Sequence, residues 1–171
     1  ASASRMSTAS NSAFPPLPPT SDTISSRGPL RRPQPTTVAP SLASSTALAR
    51  AGVDRIEAGF PRVSEDDARA IELILGAGLD AEVWGFSRAV QADVDALVAL
   101  GVRASVIESP ISDGKLEALG VSRDTMLERI RKAVSSATEN GIHVAFFGVD
   151  SSRADLEFFD HAYAAAVEAG A

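Results

Sequence analysis

Gly52-Val-Asp-Arg-Ile-Glu-Ala-Gly-Phe-Pro61, followed after Arg62 and Val63 by Ser64-Glu-Asp-Asp67, is the stretch whose reading decides the fold. Residues 53–60 form a short run with Val, Ile and Phe, closed by Gly-Phe-Pro, which predicts a strand. Ser64, with Asp67 three positions later, can accept from unpaired first-turn N–H groups and so marks a helix start. Ile71, Ile74 and Leu75 then recur at helical spacing, and Gly76 or Gly78 supplies a residue suited to the left-handed helix end. Strand therefore passes to helix within a few residues.

The same unit recurs. Residues 81–86, 103–107 and 142–149 read as three further strands bounded by Gly, Pro or Ser. Helical stripes follow at Val90, Val94, Leu97 and Val98, at Met126, Ile130, Val134 and Ala137, and at Leu156, Phe159, Tyr163 and Val167. Ser122, and Ser152 with Asp155, mark starts; Gly101, Gly141 and Gly170 mark ends. Strands alternating with helices predict a parallel sheet with right-handed crossovers. The pattern stops on a helix end where a fifth strand is expected, so the chain reads as half of a larger unit.

Composition separates this body from its leader. The 171 residues carry a formal net charge of −6. Up to Ser41 the chain is rich in Ser, Pro and Thr, includes Pro15-Pro-Leu-Pro-Pro19, and holds four Arg against the single Asp22, a net +3 that leaves −9 for the rest. Such a segment buries too little to offset its ordering entropy, and residues 1–41 are expected to be disordered, with the globular domain over 42–171. An organelle transit peptide fits less well, because the tract is Pro-rich and lacks an amphipathic basic helix. The acidic body argues against nucleic acid as a partner, and no apolar run approaches a membrane span. The absence of Cys excludes disulfides, thiolate metal sites and a Cys nucleophile, and agrees with a cytoplasmic location.

Chemistry gathers where parallel strands end. The polar residues at those ends are Glu57, Ser87 with Arg88, Glu108 with Ser109, and Asp150 with Ser151 and Ser152. Three carboxylates, a guanidinium and several hydroxyls suit a keto acid or polyanion clamped by Arg, or a hard divalent cation. Ser109, Ser151 and Ser152 also read as ordinary caps. Glu57 lies inside the apolar run from Ile56 to Phe60, where an unpaired charge is costly, so it needs a partner or a purpose. There is no Gly-x-Gly-x-x-Gly, phosphate loop or Gly-x-Ser-x-Gly, which disfavours an open nucleotide-binding sheet and a serine hydrolase.

These residues resemble the pyruvate carboxyltransferase family, the isopropylmalate, homocitrate and citramalate synthases. Residues 52–67 resemble its second strand, and 81–89 its third with the following Ser-Arg. Ser112-Asp113 and then residues 121–128 resemble its fourth loop and helix, and 150–158 its fifth strand end. The resemblance implies an α/β fold, a partial eight-stranded TIM barrel of about four βα units. It also implies a divalent metal that binds a 2-oxo acid, with acetyl-CoA as co-substrate in a Claisen-type condensation. On that basis Glu57 and Asp150 are the expected catalytic residues, and Ser87, Arg88 and Lys115 the expected substrate-binding ones.

The chain departs from the family pattern in several places. The family's first strand ends in an Arg-Asp-Gly-Glu type motif, whereas residues 36–41 read Thr-Thr-Val-Ala-Pro-Ser. Its His-x-His pair would lie beyond Ala171, and His143 and His161 read as structural, so no metal ligand is assigned within the chain. Where the family often has Ser-x-Glu-Asp and Ser-Asp-x-His, this sequence places Val149 and Lys115 at the changed positions. Three readings follow: a fragment or diverged member of the acyl-transferring synthases, a carbon–carbon lyase of the HMG-CoA lyase or aldolase kind on the same barrel, or a non-catalytic α/β module that needs a partner. A half barrel would expose strand edges and leave Val83, Val106 and Phe146 without a facing interior layer. It is therefore expected to form homo-oligomers and to be inactive alone.

Overall fold

A computed structural model describes residues 41–171. Ser41 caps α1 (Leu42–Arg50), and four parallel strands then alternate with helices. They run β1 (Arg55–Gly59), α2 (Glu65–Gly76), β2 (Glu82–Arg88), α3 (Gln91–Ala99), β3 (Ala104–Pro110), α4 (Asp113–Leu119), α5 (Arg123–Glu139), β4 (His143–Val149) and α6 (Leu156–Glu168). The sheet order is β1-β2-β3-β4, so every strand pairs with its sequence neighbour. A doubly wound sheet reverses its strand order at a switch point, whereas a barrel keeps stepping one way. This is a partial TIM barrel. No helix among the described residues is long and apolar enough to cross a membrane.

The capping chemistry accounts for the helix starts. Ser64 Oγ accepts from the Asp67 N–H, and Ser122 Oγ from the Thr125 N–H. Three details differ from the sequence reading. Two helices, α1 and α4, were not anticipated: α1 lacks a clear apolar stripe, and α4 is a seven-residue turn closed by Gly120 in the left-handed conformation. Asp155, not Ser152, caps α6 by accepting from the Phe158 N–H, while Ser151–Arg153 forms a 3₁₀ turn. β2 runs on through Ser87 and Arg88, and β3 through Pro110. The expectations for residues 1–40, including the disorder and most of the segment aligned with the family's first strand, lie outside the described residues.

Period-2 alternation sorts the strand residues between two faces. One face meets the helices: Ala58, Ile107 and Val144 pack with Ile71, Ile74, Leu97, Ile130, Val134 and Phe158 in one buried core. Backbone and helix approach closely there. A Cβ on Gly85 would lie 2.6 Å from Leu97 Cδ2, and one on Gly148 would lie 2.5 Å from Ile111 Cδ1. The other face, which lines the interior in a closed barrel, carries the register rows Trp84, Ala104 and His143; Phe86, Val106 and Ala145; and Arg88, Glu108 and Phe147. Of the residues expected inside the barrel, only Val106 is on this face. Val83 and Phe146 pack toward the helical core, and Phe146 meets Tyr163 of α6 edge-on at 5.1 Å between ring centroids. The expectation failed because it chose residues by apolarity rather than by register.

Candidate functional site

Arg88 ends β2 on the interior face, in register with Glu108 of β3. Its Nε donates to Asp93 Oδ2 at 2.7 Å and its Nη2 to Oδ1 at 3.2 Å. Asp93 lies in the first turn of α3 and is fully buried. Arg62, on the segment after β1, reaches the same carboxylate, Nε to Oδ1 at 3.1 Å. The Arg88 guanidinium also lies 5.3 Å over the Phe60 ring, which packs edge-on against Phe86. Donating to the Asp93 carboxylate holds Arg88 still further above its ordinary range, so it is a permanent cation with a fixed orientation.

Glu108 is partly buried, and desolvation pushes its carboxyl above the usual range, while Arg88 and Lys115 pull it back. Lys115 projects from α4. A cavity of about 460 Å³ opens between Arg88, Glu108, Lys115 and Arg129, with Leu119 and Met126 among its apolar walls. Lys115 also borders a neighbouring hollow with Ser112, Asp150 and Arg153. Asp150 has φ +65°, a left-handed conformation rare outside glycine. Its carboxylate accepts from Arg153 Nε at 2.6 Å and from the Ser112 hydroxyl, and the Arg153 bond, then Ser112, hold it below the ordinary carboxylate range. The rim therefore pairs a carboxylate kept ionised with one pushed toward protonation.

Not every residue singled out in the sequence reaches this rim. Ser87 is fully buried on the helix-facing side, and its Oγ has no hydrogen-bond partner. Expecting it beside Arg88 was wrong about direction: consecutive strand residues point to opposite faces. Ser109 also faces the helices, its hydroxyl 3.0 Å from Met126 S, but it does border the cavity. Glu57 is exposed rather than enclosed, because the apolar neighbours Ile56 and Ala58 point the other way. Partial desolvation still raises its pKa. It pairs with Trp84, four residues before Arg88, which is about 13 Å of extended strand below the rim. His143 lies edge-on to Trp84, and His161 is exposed on α6. Asp93 and Arg62 were missed. The available signal was an acidic residue in the first turn of the helix that follows the Ser87-Arg88 strand end.

Among the described residues, no group of three or more His, Asp or Glu side chains is gathered so as to hold a metal ion. Glu57 stands below the rim, and Asp150 is already occupied by Arg153 and Ser112. The residues present do not fit, as a set, the divalent ion that the resemblance implies.

Consecutive parallel βα units that step one way, with charged side chains gathered at the strand ends, define a section of a TIM barrel. The HMGL-like family matches residues 31–171, and the chain belongs to that family. It is 43% identical over 128 residues to a putative (R)-citramalate synthase of Methanosphaerula palustris, covering 74% of this chain and 26% of that protein. It is 40% identical over 121 residues to a probable 2-isopropylmalate synthase of Methanopyrus kandleri, covering 70% and 24%. A homocitrate synthase of the same organism is 38% identical over 121 residues, covering 70% and 30%. The chain thus spans roughly a quarter to a third of the length of these relatives.

Proposed function

We propose that this chain forms part of the active-site rim of an enzyme that condenses acetyl-CoA with a 2-oxo acid. The observation that carries the reading is Arg88, locked by buried Asp93 at the end of β2 and sharing one cavity with Lys115 and Glu108. The synthase names of the relatives support condensation over cleavage.

In this reaction the acetyl methyl group loses a proton and its carbon bonds to the keto carbon of the 2-oxo acid. The keto oxygen becomes a hydroxyl, and water then releases the thiol of CoA and leaves a new carboxylate. Arg88 and Lys115 bind the 2-oxo acid carboxylate and offset the charge that develops on the keto oxygen. Glu108, raised by desolvation on the same rim, suits proton transfer better than Asp150, which its partners hold ionised. Asp150 is assigned instead to the field around Lys115, which acts on it in return.

The test is thiol release by the full-length protein, supplied with acetyl-CoA, magnesium or manganese, and in turn pyruvate, 2-oxoisovalerate and 2-oxoglutarate. One keto acid should drive release of free CoA, and Arg88→Met should lower that rate by about 100-fold. No keto-acid-dependent thiol with any of the three would refute the reading.

A further inference from the structure

Asp93 is a fully buried carboxylate that the proposed chemistry does not use directly. Removing a carboxylate from water costs several kcal/mol, and apolar residues at such positions are often tolerated equally well. Its neighbours Val94 and Leu97 are themselves fully buried and apolar, so packing alone does not call for a charge there. What the charge does is collect two guanidinium groups from different strand ends. Arg88 comes from β2, and Arg62 from the segment between β1 and α2.

The geometry leaves both arginines open to a ligand. Arg62 meets Asp93 through Nε, which leaves its Nη groups available; Arg88 uses Nε and one Nη2 donor, which leaves Nη1. Their side chains are 50% and 54% exposed, while that of Asp93 is 1% exposed. Arg62 Nε lies 3.1 Å and Arg88 Nη2 3.2 Å from the same Oδ1, so the two nitrogens are within about 6 Å of each other. One carboxylate of a ligand can bridge guanidinium groups held that close. Phe60 beneath Arg88 restricts its tilt.

We propose that Arg62, Asp93 and Arg88 form a single anion clamp: Arg62 is a second substrate-binding arginine for the carboxylate of the 2-oxo acid, and Asp93 is the positioning residue that aims both. The ligand assignment rests on the function proposed above; the clamp itself rests on the contacts.

The experiment is a titration of the full-length protein, with ¹⁵N-labelled arginine, by sodium pyruvate and separately by inorganic phosphate, read at the side-chain Nε–Hε signals. In the wild type the Arg88 signal should be protected from solvent exchange, and both the Arg62 and the Arg88 signals should move with pyruvate. Asp93→Asn should abolish that protection and weaken pyruvate binding about tenfold or more. Arg62→Met, at a half-exposed position that folding tolerates, should weaken binding similarly while the Arg88 signal stays protected. Unchanged protection in Asp93→Asn overturns the proposal, as does unchanged pyruvate affinity in Arg62→Met. If pyruvate moves nothing in the wild type but phosphate moves both signals in an Asp93-dependent way, the clamp stands and the substrate reading falls. If neither anion moves them, the clamp falls too.

Discussion

Replacing Gly148 by Ala tests how tightly the sheet is seated on its helices. The new Cβ would lie 2.5 Å from Ile111 Cδ1, 3.2 Å from Ile111 Cγ1 and 3.2 Å from Tyr163 Cε2. Ile111 is fully buried, so its terminal methyl has no open space to swing into. The Tyr163 ring is held between Phe146 at 5.1 Å and Phe159 at 4.5 Å, and its hydroxyl accepts the Gly148 N–H at 3.2 Å. Overpacking of this kind costs about 1–3 kcal/mol, and displacing the ring loses a hydrogen bond worth about 1 kcal/mol. The expected loss is therefore about 2–4 kcal/mol. Urea unfolding followed by the fluorescence of Trp84, the single tryptophan, reads it directly. Ile111→Val removes the clashing Cδ1 and alone costs about 0.5–1.5 kcal/mol. The double variant should lose less than the sum of the single losses, by about 1 kcal/mol. A Gly148→Ala loss below about 0.5 kcal/mol, or strict additivity in the double variant, would refute the packing argument.

Other outcomes follow from single residues. Desolvation raises the folded-state pKa of Glu57, so the folded protein holds its proton longer than the unfolded chain does. Its contribution to stability is therefore present below the ordinary value of 4.5 and lost as pH rises through the folded value. Glu57→Gln should raise the urea midpoint at pH 7 and leave it unchanged at pH 3; equal midpoints at both would contradict the burial account. Ser87→Ala deletes an unpartnered buried hydroxyl and should gain about 1 kcal/mol without changing thiol release. A raised KM for the keto acid would return Ser87 to the site. Ser64→Ala removes the acceptor of the Asp67 N–H and should cost about 1 kcal/mol in the same urea assay, with a loss near zero arguing against the cap.

The two arginines show how far the site was legible. Arg88 could be found because it closes a strand, and strand ends in parallel α/β folds collect chemistry. Arg62 and Asp93 could not be found from spacing, since they are 31 positions apart and their shared contact exists only once β1 and β2 lie side by side. Ser87 and Glu57 went astray for a related reason. Local composition made one a rim residue and the other a buried charge, whereas strand alternation turned Ser87 into the helical core and Glu57 out of it.

The sequence by itself determined the order and type of the four strands, the longer helices that follow them, and most of their caps, because these depend on contacts within a few residues: apolar period, Ser and Asp oxygens that accept first-turn N–H groups, and glycine at helix ends. Its motifs also sufficed to point to the family. Only the tertiary structure decided the face of each strand residue, the seating of Gly148 against Ile111 and Tyr163, and the gathering of Arg62 and Arg88 on Asp93. Those depend on register and on burial between distant segments. A buried carboxylate takes whatever cations the fold brings to it, and linear spacing carries no record of which ones those are.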